Sequence, residues 1–569
     1  MMSRARKRML RLATLAAAMA ATVLGTSAGV EAQRPDRPMM QGRMQAAVGL
    51  LDADTFEADL RFLSHDLLEG RAPASRGEAL AAEYIEARLR MAGAEGFFEG
   101  GSYRQAVPLI MQRADPDMTL TIAGRGERAA YDYGPEFVVD SGIFQPTVEV
   151  DGEMVFVGYG IQAPEYDWDD YAGMDVAGKV LVMLVNDPPA TQAEPDLFEG
   201  RAMTYYGRWT YKYEIAQDLG AEGVILVHET EMAGYGWNVV ESSWSGDQFS
   251  LAGEGGDDPL KMRGWVTNEV ARQIMSMAGQ DLDELMQAAA RRDFQPVDLG
   301  LSASTAIRNT TERMTGTNVA GVVRGSGEMA DEYVMYSAHL DHLGMREGVG
   351  DVIYNGAFDN ASGTAAVLNL AEVLGTAPER MRSGRSFVFA LVTAEESGLL
   401  GSKHLAENLP VSSEKVQGVI NLDGINLWGE TDDLVLGAKG RTGMGKIVEE
   451  VAASMDMEVK DYPNPEVGSY FRSDHFSFSK QGVPAHSLKA GEDYRGRPEG
   501  WGEEFFQRWT RDVYHQPGDE FSEDFLYEGA LQVMKAALLT GWEMASMEGR
   551  VRWKEGDPFG RIRSEPPLR

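Results

Sequence analysis

Cysteine is absent from the 569 residues. No disulfide can brace the fold and no thiol can carry a lipid. A bound zinc ion must draw its ligands from imidazole and carboxylate, the donor set usual for catalytic rather than structural sites. Positive charge is also in short supply. The 53 lysines and arginines face 88 aspartates and glutamates, a formal charge of -35. This argues against a nucleic-acid partner, whose phosphates need basic patches. No internal repeat is visible, and beyond the first residues no apolar run has the length of a transmembrane helix.

What remains is ordinary globular composition, 43% hydrophobic and 25% charged, which excludes disorder as a general description. A chain of this length exceeds what one core usually serves, so at least two domains are expected.

The start of the chain has three parts. Arg4, Arg6, Lys7 and Arg8 are followed by an Ala/Leu-rich run over 12–24 and then by small residues up to Val30-Glu31-Ala32. This pattern predicts a signal peptide at 1–32, cleaved after Ala32, and a mature protein that is exported, periplasmic or extracellular, with no stable membrane insertion. Residues 33–50 read as a flexible leader. Over 54–93 apolar residues recur at helical spacing (Leu80, Ala81, Tyr84, Ile85, Leu89), which predicts one or two helices around a Glu69-Gly70-Arg71 turn.

From about 147 to 303 the texture changes to short β-rich runs at 154–157, 179–185 and 223–227, with one helix over 211–219. We read this as a separate β-rich domain inserted into an α/β domain made of 51–146 and 304–548. The latter carries helices at 363–374, 444–455 and 527–544, and 549–569 forms a polar tail.

Five stretches carry histidine and acidic residues in a telling order: Ser337-Ala338-His339-Leu340-Asp341, Phe358-Asp359-Asn360, Ala394-Glu395-Glu396-Ser397, Asn421-Leu422-Asp423-Gly424 and Tyr514-His515-Gln516. Three of them close apolar runs, at 332–338, 386–393 and 416–421, of the kind found in buried parallel strands. Side chains at the carboxyl ends of neighbouring parallel strands meet in the crevice where open α/β sheets place their sites. A hydrolytic zinc pair needs one bridging carboxylate and two terminal ligands per metal. His339 and Asp423 can serve one zinc, Glu396 and His515 the other, and Asp359 can bridge. Asp341 is placed to accept the other N–H of His339, and Glu395 suits a base that deprotonates water.

Each residue alone has a plainer reading. Asp359 could cap the helix near Gly363, Glu395 and Glu396 could lie on a solvated face, and His515 could sit in a surface turn. The occurrence of the whole set in order decides for the metal site. His342, His475 and His486 read as satisfied structural groups. Tyr470, Phe471, Tyr494, Trp501, Phe505, Phe506 and Trp509 either wall a substrate pocket or belong to a packed surface loop.

With Asn355-Gly356-Ala357-Phe358-Asp359-Asn360-Ala361-Ser362-Gly363, Ser473-Asp474-His475 and Tyr514-His515-Gln516-Pro517 added, the chain resembles the secreted two-zinc aminopeptidases of peptidase family M28, in particular members with an inserted protease-associated domain. The resemblance implies a zinc-exopeptidase sheet of mixed, largely parallel strands flanked by helices. It also implies two zinc ions held by His339, Asp359, Glu396, Asp423 and His515, with Glu395 as general base, Asp341 supporting His339, and peptides as substrates. Asp169-Asp170-Tyr171-Ala172-Gly173 and the Gly220-Ala221-Glu222-Gly223 turn resemble a protease-associated domain. Phe358 departs from the family's frequent second acid before the bridging Asp. A glutaminyl cyclase or carboxypeptidase on the same fold and a non-catalytic binding module are the alternatives. Oligomeric state and the preferred N-terminal residue are not readable from the chain.

Overall fold

The computed structural model describes residues 47–253, 259–346, 348–377 and 383–562. The expected signal peptide and nearly all of the expected leader lie outside the described residues, as does the end of the tail. Among the described residues no helix is long and apolar enough to cross a membrane.

The fold is α/β. At its centre Ser386–Val392, Tyr333–His339, Val416–Asn421 and Ala485–Ala490 lie side by side as parallel strands in that order. The first three are buried at every position, which is why their sequences are continuous apolar runs rather than alternating ones. Antiparallel strands extend the sheet on both sides: Arg104–Ala114 and Val297–Val323 on one, Asp433–Leu436 on the other.

Helices cover both faces. Met335, Val388 and Val392 share a buried cluster with Leu405 and Phe478, each such side chain contributing roughly 1.5–3 kcal/mol on burial. On the opposite face the Tyr336 hydroxyl donates to the carbonyl of Ala537, at 3.1 Å, in helix Glu528–Ser546. A Cβ at Gly541 would fall 2.0 Å from that hydroxyl oxygen, so only glycine lets helix and sheet approach this closely.

Strand Tyr333–His339 leads to a neighbour on one side, Ser386–Val392, and then to one on the other, Val416–Asn421. Strand order therefore reverses at the strand that ends in His339, and a crevice opens at the carboxyl ends.

A second sheet runs in the order Glu127–Asp132, Thr119–Gly124, Val297–Val323, Thr147–Phe156, Val180–Leu184, Gly223–Val227, Met262–Val266 and Phe137–Asp140. The long strand Val297–Val323 serves both sheets, by its first part here and by its last part beside Ser386–Val392. Two details differ from the boundaries read off the sequence. The second sheet takes in strands from Thr119 onward, which the sequence reading leaves with residues 51–146. These short strands alternate in burial, and their membership is set by pairing with residues near 301, which local texture does not reveal. Conversely, Asp247–Leu251 leaves the second sheet and pairs with Arg104–Ala114 at the edge of the first. There Leu251 packs with Val107, Leu109, Ala394 and Leu400, against the loop that carries Glu395 and Glu396.

Candidate metal centre

His339 is the last residue of its strand, Glu395 and Glu396 follow strand Ser386–Val392, and Asp423 follows strand Val416–Asn421. Three strand ends thus deliver four of the predicted residues to one crevice. Asp359 comes from the turn before helix Ser362–Gly375. That turn is not capped by Asp359. The side chain of Asn360 takes this role, accepting from the N–H of Gly363 at 2.8 Å and of Gly424 at 3.2 Å while donating to the carbonyl of Leu422 at 3.0 Å. A Cβ at Gly363 would lie 2.1 Å from that same carbonyl, so the glycine is needed for the two loops to meet. Asp359 itself is left with its carboxylate in the crevice.

The two oxygens of Asp359 face two different histidines. Oδ1 lies 3.1 Å from His339 Nε2 and Oδ2 lies 3.3 Å from His515 Nε2. Asp423 Oδ1 is 3.6 Å from His339 Nε2 on one side, and Glu396 Oε2 is 3.0 Å from His515 Nε2 on the other. All five predicted ligands therefore gather, in two halves that share Asp359. His515 Nε2 is buried and has no hydrogen-bond partner among the described residues, although two carboxylate oxygens lie close by. Donors packed this tightly without hydrogen-bond geometry fit a cation between them better than a direct pairing. Single-atom donors from His339, Asp359 and Asp423, from His339, Glu395 and Glu396, and from His342, Asp359 and Glu396 all lie within 4.8 Å of one another.

Electrostatics reflect this crowding. Burial alone would lower the pKa of His339, but Glu395, Asp341, Asp359 and Asp423 raise it well above the usual value. Burial would also lower that of His515, yet Glu396 and Asp359 raise it to about 10. Glu395 is the odd member. Burial first, and then Glu396, Asp474 and Asp423, push its carboxyl well above the ordinary range against the opposing charge of His339.

Supporting contacts hold these groups. His339 Nδ1 is 3.2 Å from the backbone carbonyl of Asp341 and 3.7 Å from its carboxylate. Asp341 Oδ1 also accepts the N–H of Glu395, at 3.2 Å, so one residue positions both a ligand candidate and the base candidate. Ser473 donates to Asp423 Oδ2 at 2.6 Å and receives Asn421 Nδ2 at 2.7 Å. His342 Nδ1 sits 2.6 Å from Glu396 Oε1. His486 is satisfied by Thr442 and the carbonyl of Gly437. His475 packs against Tyr470, outside the candidate groups.

The sequence reading missed two residues. Asp519 accepts the N–H of Phe358 and of Asp359, at 2.9 and 3.0 Å, and so fixes the turn that aims Asp359. Its signal was an acid four residues after His515. Arg71, noted only as part of a turn, is buried and donates to the carbonyls of Leu63, Leu340, Asn355 and Gly356, joining the leading helices to both ligand loops.

The last four aromatics of the stretch from Tyr470 to Trp509 do not lie in an irregular loop. Trp501–Asp512 is an α-helix, and Trp501, Phe505, Phe506 and Trp509 lie on one of its faces. Phe358 joins that face through Trp509 and through Trp428, its ring centroid 4.9 Å from each. An aromatic at position 358 thus belongs to an apolar wall that an acid could not complete.

Residues 318–540 match the family model described as Peptidase family M28. Over this part the chain is similar to that family. Among curated proteins the chain is similar to "Aminopeptidase NAALADL1" of Mus musculus, 35% identical over 127 residues, which are 22% of this chain and 16% of that one. It is also similar to "Leupeptin-inactivating enzyme 1" of Streptomyces exfoliatus, 27% identical over 224 residues, 37% of this chain and 45% of that one. The chain thus spans less than half the length of these curated relatives. Among solved structures it is similar to an aminopeptidase from Aneurinibacillus sp. strain AM-1, at 20% identity and a TM-score of 0.49, covering 90% of this chain and 98% of that one.

Proposed function

We propose that this chain is an exported zinc-dependent aminopeptidase that hydrolyses N-terminal residues from peptides. The observation that carries the reading is the position of Asp359, with one carboxylate oxygen toward His339 and the other toward His515. That arrangement suits two cations sharing one carboxylate. The M28 match and the aminopeptidase names of relatives support the reaction class, and the basic, apolar and small-residue start of the chain supports export.

In this reading His339 and Asp423 would hold one zinc, Glu396 and His515 the other, and Asp359 would serve both. When bound, the zinc pair polarises the scissile carbonyl and makes water a stronger acid. Glu395 takes the proton of the attacking water and passes it to the leaving amine. Asp341 keeps Glu395 and His339 in mutual register through its contacts to both. The free α-amine of the peptide is received by the surrounding carboxylates, which limits cleavage to the first peptide bond. The unit built on the second sheet, which we read as a protease-associated domain, supplies no candidate ligand among the described residues and shapes access instead.

The test is incubation of the zinc-loaded mature protein with a peptide library, the products being read by mass. Loss of single N-terminal residues is expected. Loss of ammonia or water with the chain otherwise intact, or loss of C-terminal residues, would replace this reading by a cyclase or a carboxypeptidase.

A further inference from the structure

A cavity of about 250 Å³ lies between the second-sheet unit and two segments outside it, Lys439–Arg441 and Pro558–Ile562. None of the residues that line it is a metal-ligand candidate. Four of them are tyrosines. Tyr205 and Tyr206 begin the turn Tyr205–Gly207, Tyr211 stands in the first turn of helix Trp209–Asp218, and Tyr166 ends the turn Pro164–Tyr166. The Tyr206 ring centroid is 5.0 Å from that of Tyr211 at 85° and 6.4 Å from that of Tyr166 at 89°, and Tyr205 lies 5.9 Å from Tyr211 at 74°. Rings set nearly perpendicular around one space turn faces of negative charge density toward it from more than one side.

Four carboxylates line the same space, those of Glu165, Glu199, Glu214 and Asp218, against one guanidinium, that of Arg441. Arg441 donates from Nε to Asp557 at 2.8 Å, and its guanidinium carbon stands 5.0 Å from the ring centroid of Phe559 and 5.1 Å from that of Tyr470. The wall thus already holds one cation by a carboxylate and aromatic rings together. Tyr206 donates to Glu165 Oε1 and Tyr205 to Glu214 Oε2, each at 2.6 Å, and Lys480 donates to Glu214 Oε1 at 2.7 Å. The phenol donors fix these two carboxylates beside the rings and favour their ionised form. With Arg441 on Asp557 and Glu214 on Lys480, the carboxylates of Glu165, Glu199 and Asp218 remain as the excess charge of the cavity.

We propose that this cavity binds an alkylammonium ion, a short aliphatic chain that ends in a protonated amine. The aliphatic part packs on the tyrosine rings, while ring faces and carboxylates both attract the charged end. The volume falls just below the roughly 300 Å³ at which small-molecule sites begin, so it suits a ligand the size of one side chain. An anion would meet the surplus of carboxylates, and a neutral apolar ligand would cover them without pairing them. The side chain of a peptide lysine and a free small amine share the required chemistry. The inference is independent of the peptidase reading, since binding here is measured whatever the chain hydrolyses.

The experiment is calorimetry on the zinc-loaded full mature chain with three probes: N-acetyl-lysine methylamide, its norleucine counterpart, whose side chain lacks only the amine, and n-butylammonium. Neither blocked amino acid has a free α-amine to offer the metal centre. The lysine derivative should bind about 10-fold or more tighter than the norleucine one. Glu199→Gln combined with Asp218→Asn, two exposed positions, should weaken the lysine derivative about 2- to 20-fold. Tyr206→Leu should weaken it about 2- to 30-fold, and the double variant decides if Tyr206→Leu fails to fold. Tighter binding of the lysine derivative than of butylammonium assigns the site to a peptide side chain, and equal binding of the two assigns it to a free amine. Equal binding of the lysine and norleucine derivatives would leave an apolar cavity only and overturn the proposal. So would the absence of binding by either ammonium probe. Binding that persists at wild-type strength in the double variant and in folded Tyr206→Leu would place the ammonium elsewhere and overturn it as well.

Discussion

The side-chain amide of Asn360 donates to the backbone carbonyl of Leu422 at 3.0 Å. The residue after the proposed bridging carboxylate is thereby joined to the residue before Asp423, and one amide group ties together the two loops that carry these ligand candidates. Asn360 also accepts two backbone N–H groups, and it is fully buried.

Replacing Asn360 with Ala should strand three buried backbone groups. The expected loss is about 2–4 kcal/mol of stability, read from the urea midpoint, together with weaker zinc binding in a competition assay. A variant with unchanged zinc affinity would show that the Asp359 loop is positioned by other contacts, Asp519 being the first to examine.

Arg71 offers a second test away from the ligands. Its guanidinium serves four carbonyls from three separate segments, and a lysine ammonium, with three donors in a compact head, cannot reach them all. Arg71→Lys should lower stability by about 2–4 kcal/mol in urea denaturation. Wild-type stability in this variant would mean that water replaces the lost donors at no cost.

Much of this site was legible in the sequence because the chemistry sits where strands stop. The runs ending at His339, Glu395 and Asp423 are buried on both faces, so their apolar continuity marked the strands and the first polar residue after each marked the crevice. His515 follows no such run. It stands in a turn with φ of 57°, and only its place in the ordered set of motifs pointed to it. Asp519 and Arg71 act through backbone groups distant in sequence, and no local pattern predicts such pairing. For the same reason the second sheet was placed too late, since Thr119–Gly124 is recruited by Val297–Val323 rather than by its neighbours in the chain. The helix Trp501–Asp512 was missed because its aromatic face is only half-buried and lies in a Gly-rich setting, although the spacing 501, 505, 506 and 509 is helical.

Glu395→Gln removes the proposed base and keeps its volume. Zinc content and the melting curve should stay near those of the wild type, while turnover of a peptide substrate falls by a factor of about 10² to 10⁴. Near-normal turnover in a variant verified by mass would reassign the base. Glu396→Gln, whose carboxylate lies 3.0 Å from His515, should instead lose zinc first.

The account stands or falls on the double role of Asp359, and native mass spectrometry of the purified mature chain tests it most directly. The wild type should carry two zinc ions, and Asp359→Ala, folded by circular dichroism, should hold at most one under the same conditions. Two zinc ions retained by Asp359→Ala, or a wild-type chain that never binds more than one, would contradict a centre built on a shared carboxylate.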